Sequence, residues 1–139
     1  MTSAIIGLMR ALAVSFCLLA VTACSEKSPV DPSPISRDLV LAPGQTSAIP
    51  EASASIRFER VSGDSRCPGD AICIQGGNAQ VEIQVLRSGR TRPHILNTAE
   101  SRPVVDQDLT ISLVELNPYP FSSRPFPPED YRATLRVTR

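Results

Sequence analysis

Cys67 and Cys73 are the thiols available for chemistry, and His94 is the single imidazole. The two cysteines are separated by five intervening residues in the stretch DSRCPGDAICIQGGN, Asp64 to Asn78. A disulfide needs only these two side chains and an oxidising compartment. A zinc site needs four ligands, and zinc cysteine pairs are usually two to four residues apart. Here the spacer is five, and His94 would have to come from a separate strand. Asp64 and Asp70 would then add carboxylate oxygens, an uncommon partner for thiolates. A Cys–His nucleophile needs a free thiolate, which two neighbouring cysteines do not keep after export. The expectation is therefore a disulfide, with no metal and no other cofactor, and His94 as an ordinary surface residue. Closing so short a ring contributes about 2 kcal/mol in the chain-entropy model.

Asp64, Ser65 and Arg66 precede the first cysteine and allow two readings. In the structural one, Asp64 and Ser65 cap the turn through the local backbone, and Arg66 pairs with a carboxylate. In the functional one, the loop is a binding tip with Arg66 as an anion contact. A second candidate surface is the Pro-rich segment PFSSRPFPPED, residues 120–130. Tyr119, Phe121 and Phe126 sit on or beside it, with Tyr131 just after. Aromatic residues on a stiff loop suit partner binding. The alternative is that they fold back as a lid on one end of the domain.

These loops need a scaffold, and the composition limits which. The 139-residue chain carries 14 basic and 14 acidic groups, so no basic field exists for nucleic acid. Thirteen prolines and no tryptophan argue against a helical bundle. No Gly-rich phosphate loop or Ser/His/Asp nucleophile turn is present, so the expectation is a protein that is not an enzyme.

The N-terminus reads as an address. Residues 1–23 place an apolar run, Ala11 to Ala23, after the single charge of Arg10. The run is shorter than the ~20 residues of a membrane helix and ends in small residues, the pattern of a signal peptide. Val21-Thr22-Ala23-Cys24 resembles the bacterial lipobox. The resemblance implies cleavage before Cys24 and acylation of Cys24, so that membrane lipid is its first partner. Several acyl chains hold where one holds only marginally. Ser25 after the cysteine implies the periplasmic face of the outer membrane. Residues 24–36 are then a Ser/Pro-rich tether, which at about 3.1 Å per residue spans roughly 30–40 Å.

Residues 37–139 read as a β domain. Segments 38–41, 45–49, 55–61, 78–86, 91–97, 109–116 and 131–137 have strand character. Ala79, Val81, Ile83 and Val85 alternate with polar residues, as do Tyr131, Ala133, Leu135 and Val137. Val61 breaks phase and suggests a bulge; a second slip falls near Val114. Pro93 marks an edge strand. Six or seven short strands and no helical period predict a small antiparallel β-sandwich or barrel with one disulfide.

The string FERVSGDSRCPGDAICIQGGNAQV, Phe58 to Val81, resembles a family of small bacterial exported proteins and lipoproteins with no assigned activity. The family pattern is a Phe-bearing strand, Asp-Ser-Arg-Cys-Pro, a second Cys, an aromatic-Ala-Gly stretch and an Ala-x-Val strand. Asn117-Pro118-Tyr119-Pro120 and Asp130-Tyr131-Arg132 extend the resemblance over residues 38–137. Gln75 departs from it, standing where the family has Trp. The resemblance implies an exported all-β domain. The functional expectation is a membrane-anchored lipoprotein with a binding or envelope-structural role and an unidentified protein or envelope partner. Two alternatives are an inhibitor of a lytic or proteolytic enzyme, and a metal or redox protein using Cys67 and Cys73.

Overall fold

The computed structural model describes residues 34–139. The segments expected to be a signal peptide and most of a tether, together with Cys24, lie outside the described residues. Eight strands are present among those described: β1 (Ser36–Leu41), β2 (Thr46–Ile49), β3 (Ala54–Asp64), β4 (Ala79–Arg87), β5 (Arg90–Asn97), β6 (Val104–Asp106), β7 (Leu109–Asn117) and β8 (Arg132–Thr138). Among the described residues, helical structure is limited to two single turns of 3-10 helix, Pro50–Ala52 and Pro128–Asp130.

The strands form two four-stranded antiparallel sheets, in the orders β1-β8-β7-β6 and β2-β3-β4-β5. Their apolar faces meet in one core, so the closure is a sandwich. Alternation explains which residues enter it. Ala79, Val81, Ile83 and Val85 of β4 are fully buried, as are Ala133, Leu135 and Val137 of β8. Phe58, the largest core side chain, lies opposite Ile83.

Irregularities fall where the sequence loses phase. β3 has 11 residues and β4 has 9, and β3 accommodates the extra two through register shifts at Phe58/Arg60 and Val61/Gly63. In β7 the shift between Leu113 and Glu115 leaves Val114 exposed and turns Leu116 into the core. β5 is an edge strand and carries Pro93, whose missing N–H costs no ladder bond there.

Several elements differ from the expectation, β3 among them, which runs on to Asp64 instead of ending at residue 61. β6 is an eighth strand; at three residues it is too short to show alternation. β8 begins at Arg132, after the Pro128–Asp130 turn, so Tyr131 stands before the strand. β1 starts at Ser36, and Ile35 packs against the core while its carbonyl accepts the Arg139 N–H at 3.1 Å. The folded part thus begins slightly before residue 37.

The registers define two poles. Ser36 pairs with Thr138 and Leu41 with Ala133, while Asn117 pairs with Arg132. The chain therefore enters β1 at the pole opposite Asn117. Beside Ser36 lie the Arg37–Glu51 and Arg139–Asp108 ion pairs and the β4–β5 hairpin. The segment between β3 and β4 emerges at the Asn117 pole.

Core and surface substitutions on this sheet should separate cleanly. Leu135→Ala is expected to cost about 3 kcal/mol, and Val105→Ala, exposed on β6, less than about 0.5 kcal/mol. Thermal unfolding followed by circular dichroism measures both; equal losses would mean that the inward faces are misassigned.

Candidate functional site

At the Asn117 pole the segment from Ser65 to Asn78 closes on itself. The Ser65 N–H donates to the Asn78 carbonyl at 2.8 Å, and the Ser65 hydroxyl to the same oxygen at 2.9 Å. Ser65 Oγ in turn accepts the Asn78 N–H at 3.1 Å. The two limbs pass so closely that a Cβ on Gly77 would overlap the Ser65 carbonyl. Further out, Cys67 and Cys73 are joined as a disulfide, with Cα atoms 6.0 Å apart. As a disulfide they offer no thiolate to a metal or a substrate.

Arg66 lies beneath this loop, 9 % exposed. Its Nε and Nη2 donate to the two Asp64 carboxylate oxygens at 2.9 and 2.6 Å. Nη1 donates to the Leu116 carbonyl at 2.6 Å and Nη2 to the Pro118 carbonyl at 3.0 Å. The Tyr119 ring covers the guanidinium, with its centroid 5.3 Å from Cζ. The candidate anion contact is thus an internal clasp, because a carboxylate two residues away and two strand-end carbonyls occupy its donors.

Asp64 also accepts the Arg66 backbone N–H at 3.1 Å and the Tyr131 hydroxyl at 2.9 Å. Burial works against its charged form, but the Arg66 and Tyr131 hydrogen bonds outweigh it and hold its pKa below the ordinary value. The Tyr131 hydroxyl, partly buried and donating to Asp64, is raised to about 12. Phe126 stands edge-on to Tyr131 at 5.1 Å, so this aromatic packs inward as part of a lid.

The Pro-rich segment is lashed to the stapled loop as well. Asp70 accepts the Ser122 and Ser123 N–H groups at 2.7 and 3.0 Å. Those bonds, Ser122 first, lower its pKa to about 2. The Gly69 N–H donates to the Pro120 carbonyl at 2.9 Å, and the Phe121 ring lies where a Gly69 Cβ would be. Tyr119 and Phe121 remain about half exposed.

The tip of this pole offers apolar side chains to solvent. Ile72 and Ile74 flank Cys73 at the tip, and both are fully exposed. The AICIQ run contained this signal, since isoleucines between glycines and a staple have no strand to bury them. Of the sequence candidates, Cys67, Cys73, Arg66, Tyr119, Phe121 and Phe126 do gather at one pole; Cys24 lies outside the described residues.

His94 is elsewhere, opposite Ile83 in mid-strand. It is not an ordinary surface residue: its Nε2 lies 2.9 Å from Asp106 Oδ2, and it is only partly exposed. The unanticipated β6 brings that carboxylate, 3 % exposed, to the edge of β5. Among the described residues no three His, Cys, Asp or Glu side chains are placed to hold a metal. No protein-family model matches the chain, and no curated protein or solved structure is significantly similar to it.

Removing the clasp leaves the partly buried Asp64 carboxylate without its main partner, so Arg66→Ala should cost about 2 kcal/mol. Tyr131→Phe, which removes one of several bonds to Asp64, should cost about 1 kcal/mol. Denaturant midpoints test this, and a larger loss for Tyr131→Phe would contradict the assignment. Asp70 sets a pH window. Because its folded pKa lies below the ordinary 3.8, the pin is complete above about pH 4 and is lost as pH falls toward about 2. Exchange of the Ser122 and Ser123 amides should accelerate relative to the core in that window, and Asp70→Ala should abolish the step.

Proposed function

We propose that this chain is a lipid-anchored bacterial envelope protein whose β domain binds a protein partner through the tip of the stapled loop, without catalysis of its own. The observation that carries the proposal is the full exposure of Ile72 and Ile74 on a loop held by a disulfide, a buried clasp and the Asp70 pin. Rigid apolar side chains lose little freedom on binding. Each isoleucine, once covered, contributes about 1.5–3 kcal/mol. Tyr119 and Phe121, half exposed at the same pole, widen the contact with the residue types that dominate binding energy.

The anchoring part rests on Val21-Thr22-Ala23-Cys24, which resembles a lipobox, and on Ser25, which favours the periplasmic face of the outer membrane. A tether joined at Ile35 leaves the loop tip at the opposite pole, free to meet a partner. A narrower reading is favoured by the narrow, stapled shape of that tip: insertion into the cleft of a lytic or proteolytic enzyme, as an inhibitor. Fold-level analogy alone does not choose between the two.

Crosslinking in cells tests the proposal. A photoreactive residue in place of Gln75 should yield a discrete protein adduct that disappears when Ile72→Asp and Ile74→Asp are combined. The same residue in place of Val40, exposed on β1, should yield none. Equal adducts at both positions, or an adduct indifferent to the double substitution, would overturn it. An adduct with a lytic enzyme or protease that the purified protein slows would select the inhibitor.

A further inference from the structure

The opposite pole carries an unexplained concentration of arginine. Ser88 and Gly89 have φ of 50° and 74°, the two left-handed residues of a tight β4–β5 hairpin. The hairpin sets Arg87 directly opposite Arg90, a pairing of like charges that costs stability. Arg92 faces Val85, and Val85 is buried. Residues two apart on a strand share a face. Arg87, Arg90 and Arg92 therefore all lie on the inner face of the sheet, where it overhangs the core. They line an open cavity of about 190 Å³ together with Ser88, Asp106 and Gln107.

The local carboxylates do not balance these charges. Asp106 lies 3.2 Å from Arg92 and faces His94. Asp108 sits between Arg87 and Arg139, 2.7 Å from each. Four arginines thus meet two aspartates, and Arg90 has no ion pair with a described residue. Arg87 uses only Nη1, toward Gln107 and Asp108. Its Nε and Nη2 are buried with no acceptor among the described residues. That edge is the fork by which Arg66 grips Asp64 and Arg136 grips Asp38 in this same protein. A buried guanidinium edge without an acceptor is costly, and two parallel N–H donors match two oxygens of one anion.

We propose that the Arg87–Arg92 hairpin cavity binds a phosphate group, gripped by the Arg87 fork and closed over by Arg90. Reaching the covered fork requires a side-chain shift at the cavity rim, where Arg90 is exposed and adds its own donors. The phosphate comes either from a soluble phosphoryl compound or from a phospholipid headgroup; because the chain enters the domain at this pole, the second source follows if the anchoring proposed above holds.

Titration calorimetry on the mature chain in non-ionic micelles tests the site, with ionic strength held constant by chloride. Inorganic phosphate and dihexanoyl phosphatidylglycerol below its micelle concentration are the two probes. At least one should bind, and Arg90→Gln should weaken it about tenfold, the loss of one charge-assisted hydrogen bond. Arg124→Gln, at the other pole, should leave binding unchanged. Tighter binding of phosphate marks a soluble source; tighter binding of the lipid marks a headgroup. Heat from neither probe, or binding equal in Arg90→Gln and the parent with matched melting curves, would overturn the proposal. The outcome does not depend on the loop tip, so its failure leaves the partner-binding reading standing.

Discussion

The loop pole depends on one buried ion pair. Arg66 and Asp64 are two residues apart, nearly inaccessible, and joined by both oxygens. A buried charge is tolerated only when paired and hydrogen-bonded, and this pair meets the condition by recruiting its surroundings. The guanidinium takes up two carbonyls at the end of β7, and the carboxylate takes up the Tyr131 hydroxyl just before β8. The ends of β3, β7 and β8 are thereby fixed to one another through side chains, where strand pairing has stopped. The disulfide then needs only to shape the outer turn, and Asp70 only to carry that shape to the Pro-rich segment.

A division of labour between poles follows from these contacts. One pole spends its polar groups internally and offers isoleucine and aromatic surface to solvent. The other holds Arg37 and Arg139 in ion pairs and leaves guanidinium donors of Arg87 without an acceptor among the described residues. Neither arrangement is required by the sandwich, whose stability comes from the alternating faces of β3, β4, β7 and β8. The sheets act as a spacer holding two chemically different surfaces apart.

The all-β class was legible because period-2 alternation is local, but the choice of sandwich over barrel was not, since closure depends on which distant strands pair. β4 and β8 each bury alternate residues, and the phase breaks at Val61 and Val114 appear as real register shifts. β6 was not legible, since three residues carry no period. His94 was misjudged for the same reason, because its environment is made by Asp106 on that strand. At the candidate site, the Cys67–Cys73 pairing and the Asp64 turn contact were readable from spacing. The clasp to Leu116 and Pro118 was not, as it joins residues about 50 positions apart. Nothing local distinguishes an arginine that reaches solvent from one that reaches across a fold. The exposed isoleucines were missed although their signal is local, since Ile72 and Ile74 flank Cys73 among glycines with no strand to bury them.

Hydrogen exchange of Arg66→Lys reads out whether one clasp holds the two loops as a unit. Lysine keeps the charge but cannot grip both oxygens of Asp64 and two carbonyls at once. Amides of residues 65–78 and 118–127 should lose protection together while β4 and β8 keep theirs. Loss confined to one loop, or unchanged protection in both, would contradict it.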